Sequence, residues 1–156
     1  MDKKINEIAT IITEKINSLS LSTNDYVSTE NMLPSFNGIT QASSIPSGNV
    51  SRFRISDILI SNIRPYFRKI WFSNRDGGCS NDVIILRANE GKVLPKYLYY
   101  ALTNDYFINY YVASCKGTKM PRGNKDALLE WVLDVPSREI QQHIVNTISF
   151  LLLKFL

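Results

Sequence analysis

The sequence predicts an α+β fold: a twisted sheet of short mixed or antiparallel strands, helices around it, and one longer helix at the C-terminus. Three observations predict it. Short β-branched and aromatic runs, Asp57–Ile63, Arg68–Ser73 and Asp82–Leu86, crowd the middle of the chain. Helix signals begin at Pro95 and recur to the end. The 156 residues are 44% apolar, which suits one domain with a real core.

In chain order, Ile5, Ile8, Ala9, Ile12 and Ile16 fall at helical spacing, while the run Ala9–Thr13 is rich in β-branched residues. A short helix followed by a strand reconciles the two. Tyr26–Ser28 is a short strand, and the Ser, Gly, Asn and Pro of Pro34–Asn49 make a loop. Pro65 and the cluster Asn74–Gly78 separate the central strands, with Asp76-Gly77 as a turn. Pro95 opens a helix through Thr103, and Asn104 or Asp105 caps a second through Ala113. Lys125–Glu130 is a short helix and Trp131–Val135 a strand closed by Pro136. Ser137 caps the last helix, with Glu139 in its first turn where the dipole favours an acid. Along it Ile144, Ile148, Leu151 and Phe155 form a heptad seam, widened by Val145 and Leu152. The seam can pack on the domain or dock to a partner helix, and the pattern leaves both open.

The apolar run Ile148–Leu156 is broken by Ser149 and Lys154 and is far shorter than the roughly 20 residues of a spanning helix. No secretory signal follows the charged start Asp2-Lys3-Lys4, so a cytoplasmic location is expected. Cys79 and Cys115 give neither a metal spacing nor a disulfide framework, and both are expected reduced and partly buried. The single histidine, His143, cannot build a multi-histidine zinc site.

Net charge is +4, but its distribution is uneven. From Val50 to Lys125 there are thirteen bases against five acids, a surplus of +8, while the ends are acidic. Such a basic centre is what a phosphate-binding surface needs. Catalytic arrangements are weak by comparison. Asp82 with Glu90-Gly91-Lys92 has the residue types of a metal-dependent nuclease, but the triplet sits in a turn rather than on a strand. Asn104-Asp105-Tyr106-Phe107 lacks both prolines of an amino-methyltransferase element and reads better as a helix cap. The tyrosines 97, 99, 100, 106, 110 and 111 lie at helical positions that favour half-buried core over base stacking.

Two basic segments carry more. Ser61–Lys69 ends a strand with Asn62, Arg64, Arg68 and Lys69, and Asn and Arg are the side chains that read adenine and guanine edges. Lys116–Lys125 combines four cations with two glycines and Thr118, and glycine lets backbone N–H groups approach a phosphate. The DNA-facing candidates are therefore Arg52, Arg54, Asn62, Arg64, Arg68, Lys69, Lys116, Thr118, Lys119, Arg122 and Lys125. Arg and Lys would hold phosphate, and Asn62 or an Arg would read a base. Pro65, Gly117 and Pro121 are expected to set turns.

The same segments carry a family resemblance. Tyr26–Pro34 resembles the opening of target-recognition domains in the DNA specificity (S) subunits of type I restriction–modification systems. Asp57–Tyr66 is similar to that family's "GDIL-S-IRPY" segment, with Ser56 where glycine is usual. Ser80–Arg87, then Pro95 with Tyr97–Tyr100, then Gly117–Arg122 follow in the family's order. Pro136–Ile144 resembles the "P-EQ-I" entry to its spacer helix, with Ile140 in place of the usual Glu.

The resemblance implies a recognition domain over residues 1–136 and the start of a spacer or dimerisation helix over 137–156. It implies a non-catalytic, sequence-specific reader of double-stranded DNA with no cofactor of its own. S-adenosylmethionine, ATP and magnesium would belong to partner subunits, a modification methyltransferase and a restriction translocase. Ile144, Ile148, Leu151 and Phe155 would meet a partner helix, from a second S half-subunit or a copy of this chain. A full S subunit holds two recognition domains and this chain holds one, so a half-subunit, a recombining cassette and a truncated fragment that acts only in assembly are all expected alternatives. The loops Pro34–Asn49 and Asn74–Gly78 are where half-site specificity is expected.

Overall fold

The computed structural model describes residues 1–154. Its elements are β1 (Asp2–Lys4), α1 (Ile5–Ile8), β2 (Ala9–Ile11), β3 (Lys15–Asn17), β4 (Tyr26–Val27), β5 (Asn49–Phe53), β6 (Ile58–Ser61) and β7 (Ile70–Phe72). These are followed by β8 (Gly77–Cys79), β9 (Val83–Ala88), α2 (Pro95–Leu102), α3 (Asp105–Ala113), α4 (Lys125–Glu130), β10 (Val132–Asp134) and α5 (Arg138–Lys154).

The α+β class holds, but the strands divide into three sheets rather than one. A central antiparallel sheet runs β2-β9-β6-β7, and a mixed one runs β3-β5-β8-β4, with β4 parallel to β8. A third, two-stranded sheet pairs β1 with β10. β6 explains the layering. Its alternate residues Ile58 and Ile60 join Ile84, Leu86, Leu98, Leu102, Phe107 and Leu128 in one core, against the helices. Leu59, pointing the other way, joins Ile85, Trp71, Phe53 and Cys79 in a second core, against the mixed sheet. A strand buried on both faces reads as a continuous apolar run, as Ile58–Ile60 does.

Four strands carried no clear sequence signal: β1, β3, β5 and β8. β8 is the instructive one, because Gly77-Gly78 read only as a turn. A Cβ on Gly77 would lie 2.2 Å from the carbonyl oxygen of Asp25, and one on Gly78 would lie 2.6 Å from Leu21. Close packing between β4 and β5, not β propensity, selects glycine there.

Asp57 is 1% exposed, and its carboxylate receives Nε and Nη2 of Arg87, both at 2.8 Å, and the N–H of Arg54 at 2.8 Å. A buried acid is tolerable only when so satisfied. The bond to Asp57 raises the Arg87 pKa, keeping it charged. Ser56 beside it has φ +71, the left-handed region that glycine occupies without strain.

α5 packs on α2 through a face one step round from the expected seam. Gln141 and Val145 are buried, Ile144 and Ile148 are half-buried, and Leu151 is exposed. Gln141 decides the orientation: its Oε1 accepts from Leu94 N–H at 2.8 Å, and its Nε2 donates to the Pro136 carbonyl at 2.8 Å. Phe155 lies outside the described residues. Both cysteines are free thiols, Cys79 buried and Cys115 partly so. Among the described residues no helix is long and apolar enough to cross a membrane.

Candidate nucleic-acid interface

The loop after α3 is tied to the end of β6. Arg122 bridges both Ile63 and Lys116, so residues 116–122 form a tight hairpin beside the strand end. Arg64 N–H donates to the Pro121 carbonyl at 2.8 Å, and Gly123 N–H to the Asn62 carbonyl at 3.1 Å. Gly117 turns the hairpin at φ +93. Gly123 is needed for space: a Cβ there would fall 2.2 Å from Cζ of Tyr111. Asn124 then caps α4, its Oδ1 accepting from Asp126 N–H at 2.9 Å and Ala127 N–H at 3.3 Å.

This brings Arg64, Lys116, Thr118, Lys119, Arg122 and Lys125 into one exposed lobe. Between them lies an open groove of about 690 Å³, lined by Lys116, Met120, Arg122, Lys125, Asp126 and the edge of Asn62. Among the described residues Arg64, Lys116, Lys119 and Lys125 make no ion pair with a carboxylate, whereas Arg122 meets Asp82 at 2.5 Å. That pair is exposed, and such pairs contribute only about 0–1 kcal/mol, so a phosphate can displace Asp82 at small cost. Asp82 is thus engaged with Arg122, and among the described residues no His, Cys, Asp and Glu group could hold a metal ion.

The remaining candidates lie apart from this lobe or are engaged elsewhere. Arg68 pairs with Asp105 at 2.7 Å, fastening the turn after β6 to α3. Lys69 donates to the Thr29 carbonyl at 2.7 Å. Arg52 and Arg54 converge on Glu14, at 3.3 and 3.2 Å, beside β5 in the mixed sheet. Asn62 departs furthest from expectation. It is 8% exposed, and its Oδ1 accepts from the Tyr111 hydroxyl at 2.5 Å. Its amide oxygen anchors α3 to β6 and is thereby taken up, while the residue still borders the groove. Burial pushes the Tyr111 phenol well above its ordinary pKa, so it stays the donor.

One cation was missed by sequence reasoning. Lys15 Nζ donates to Ser51 Oγ and Asn81 Oδ1, both at 3.2 Å, and shares a cleft of about 340 Å³ with Lys125. Lys15 belongs to the acidic N-terminal stretch, so no local charge pattern marks it.

The two expected specificity loops differ in character. Residues 40–46 of the first loop line a polar cavity of about 520 Å³ whose walls include Glu30, Asn31, Thr40, Gln41 and Ser44. Asn31 organises it, accepting from Ser28 N–H at 2.6 Å and donating to the Tyr26 and Thr40 carbonyls at 2.9 Å. Asn74–Gly78 is largely structural: Asp76 accepts from Ile55 N–H at 2.8 Å, and Gly77-Gly78 enter β8.

Comparison with known proteins places the chain as a whole in a family. The family model described as the type I restriction modification DNA specificity domain matches residues 1–154. Among solved structures, the HsdS subunit from Thermoanaerobacter tengcongensis superposes with a TM-score of 0.79 at 22% identity. The match covers 99% of this chain and 42% of that one. A chain from a structure of type I R-M complex assembly and conformational transition gives 0.69 at 15% identity, covering 99% and 38%. The type I restriction-modification S subunit from M. genitalium gives 0.65 at 14%, covering 96% and 38%. This chain therefore spans less than half the length of each. No curated protein sequence matches it significantly. With the family model spanning nearly the whole chain, and the fold shared with solved S subunits, this chain belongs to the type I restriction modification DNA specificity domain family.

Proposed function

We propose that this chain reads one half of a split target in double-stranded DNA and directs partner subunits to it, doing no chemistry itself. The observation that carries this reading is the lobe of exposed cations on the hairpin 116–122, tied to the end of β6, in a chain that matches the specificity-domain family over residues 1–154. Arg64, Lys116, Lys119, Arg122 and Lys125, with Thr118 as a neutral donor, hold phosphates in this reading. Lys15 extends the track past Lys125. Arg68 and Lys69 flank it, and Arg52 and Arg54 touch DNA only if the duplex reaches the mixed sheet.

Residues 1–136 act as the recognition domain in this proposal, and residues 137–156 as a docking helix. Its partners are a modification methyltransferase, which brings S-adenosylmethionine, and an ATP- and magnesium-dependent restriction translocase. A second specificity domain, in another copy of this chain or another protein, supplies the other half-site. Ile144, Ile148 and Leu151 lie on or near the docking face in this reading, and Phe155, the fourth residue of the expected seam, lies outside the described residues.

The test is co-expression with a type I modification subunit, followed by mapping of adenine methylation. One motif methylated only when this chain is present is the expected result. Changing Lys119 and Arg122 together to Ala should lower the salt dependence of DNA binding by about 0.9 in log–log slope for each phosphate no longer neutralised. An unchanged slope would remove the hairpin from the interface.

One observation favours a second reading. Phe150, Leu151, Leu152 and Leu153 are 59%, 48%, 54% and 69% exposed. An assembly protein that docks through this surface without reading DNA would bind the modification subunit tightly yet give no methylated motif.

A further inference from the structure

We propose that Tyr66 and Phe67 form an aromatic wedge that enters a base step of the bound duplex, while Arg64 and its neighbours hold the flanking phosphates. The inference deepens the DNA-reading function proposed above and rests on it.

The wedge is built by the backbone. Pro65–Phe67 is a single 3-10 turn between Arg64 at φ +48 and Arg68 at φ +59. Both arginines are left-handed, which is unfavourable for any residue with a Cβ. The turn is closed by Phe67 N–H to the Arg64 carbonyl and Arg68 N–H to the Pro65 carbonyl, both 3.0 Å. A second loop braces it from outside. Ser35 N–H donates to the Phe67 carbonyl at 3.0 Å, and Phe36 N–H to the Arg68 carbonyl at 2.8 Å. Ser35 and Phe36 are themselves left-handed, at φ +59 and +60. Four non-glycine residues in this conformation around one turn persist only because the cross-bonds over-determine them, and such clusters occur at functional sites.

The turn presents apolar rings to solvent. Tyr66 is 47% exposed and Phe67 45%, with ring centroids 4.9 Å apart. Tyr106, 83% exposed, stands on the first turn of α3, and Asp105 next to it holds Arg68 at 2.7 Å. Outside α5 these three are the exposed large aromatics among the described residues, two on the turn and one on the first turn of α3 that the Arg68–Asp105 pair ties to it. The hairpin adds Met120, 48% exposed, and is joined to the turn by Arg64 Nη2 donating to the Lys119 carbonyl at 3.4 Å.

The surroundings favour DNA over a protein partner. Arg64 and Arg68 flank the turn that carries the rings, Lys69 Nζ lies 5.9 Å from the Phe67 ring centroid, and Arg64 joins the turn to the hairpin that carries Lys116 and Lys119. Protein interface cores are depleted in lysine, whereas apolar side chains set among cations are what DNA-kinking proteins insert between bases. Aromatic rings also stack on any base, which adds affinity without fixing sequence.

The experiment uses the full chain and a duplex selected by it from a random-sequence library, with 2-aminopurine placed at successive positions. Expected is a several-fold fluorescence rise at one base step on saturation. Phe67→Ala should abolish the rise and weaken binding about tenfold or more with an unchanged salt slope. Phe67→Trp should retain the rise, and Tyr66→Ala gives an independent reading if Phe67→Ala fails to fold. Saturation without any rise would overturn the wedge while leaving DNA reading intact. So would a Phe67→Ala variant that keeps the DNA response but loses the modification subunit, which would make the tip a protein-docking surface. Selection of no duplex by the unaltered chain would sink both proposals together.

Discussion

The Tyr111 hydroxyl donates to Oδ1 of Asn62 at 2.5 Å, although 49 residues separate them. The bond joins the last turns of α3 to the residue after β6. Gly123 lies directly against the same phenol ring, so one tyrosine positions both the strand end and the base of the hairpin. The cations of that hairpin are held in place by a contact that carries no charge.

Tyr111→Phe should therefore destabilise the domain by about 1–3 kcal/mol, because a buried amide oxygen loses its donor. Urea unfolding measures this directly. The variant should also bind DNA more weakly, although no cation has been touched. Unchanged stability would mean that water replaces the hydroxyl freely.

Ser56→Gly should stabilise the protein. Ser56 holds φ +71, where a Cβ costs about 1–2 kcal/mol. Glycine's freedom in the unfolded chain returns part of that, leaving a gain of about 0.5–1 kcal/mol. A higher melting temperature with unchanged DNA affinity is the expected outcome. A lower one would show that the left-handed conformation at this position costs serine nothing.

Asp82→Asn should strengthen DNA binding several-fold at low salt. The carboxylate holds Arg122 at 2.5 Å and, where Arg122 contacts DNA as proposed, competes with phosphate for it. The advantage should shrink as ionic strength rises, because the competing charges are exposed. Equal affinity for both proteins at low salt would remove Arg122 from the phosphate contacts.

Burial pushes the Cys79 thiol up to about 12 from 9.0. Its neutral form is favoured by folding, so this contribution is complete below pH 9 and is lost as pH rises toward 12. Stability against denaturant should stay flat through neutral pH and fall above pH 9, and Cys79→Ala should flatten part of that fall. In thiol labelling, Cys115 should react in the folded protein and Cys79 only on unfolding. Rapid labelling of both in the folded state would contradict the buried position of β8.

Much was legible in the sequence because it is local. Pro95 starts α2, Asn104 caps α3 and accepts from Phe107 N–H at 3.0 Å, and Lys125–Glu130 is α4 as its pattern predicts. Each depends on residues within a turn of one another. The apolar runs that became β6, β7 and β9 were equally clear, because strands buried in a core must be apolar. The ordered motifs Asp57–Tyr66 and Gly117–Arg122 also pointed to the family before any coordinates did.

The tertiary structure alone decided which charges are free. Lys15 joins Lys125 in one cleft, Asp82 holds Arg122, and Glu14 holds Arg52 and Arg54. It also turned Asn62 inward and set α5 on its Gln141 and Val145 face rather than on the heptad seam. One cause underlies all of these. Helix caps, turns and strand periodicity are short-range and written in neighbouring residues. Counterion choice, burial of an amide and the facing of a terminal helix depend on groups that only the folded chain brings within bonding distance.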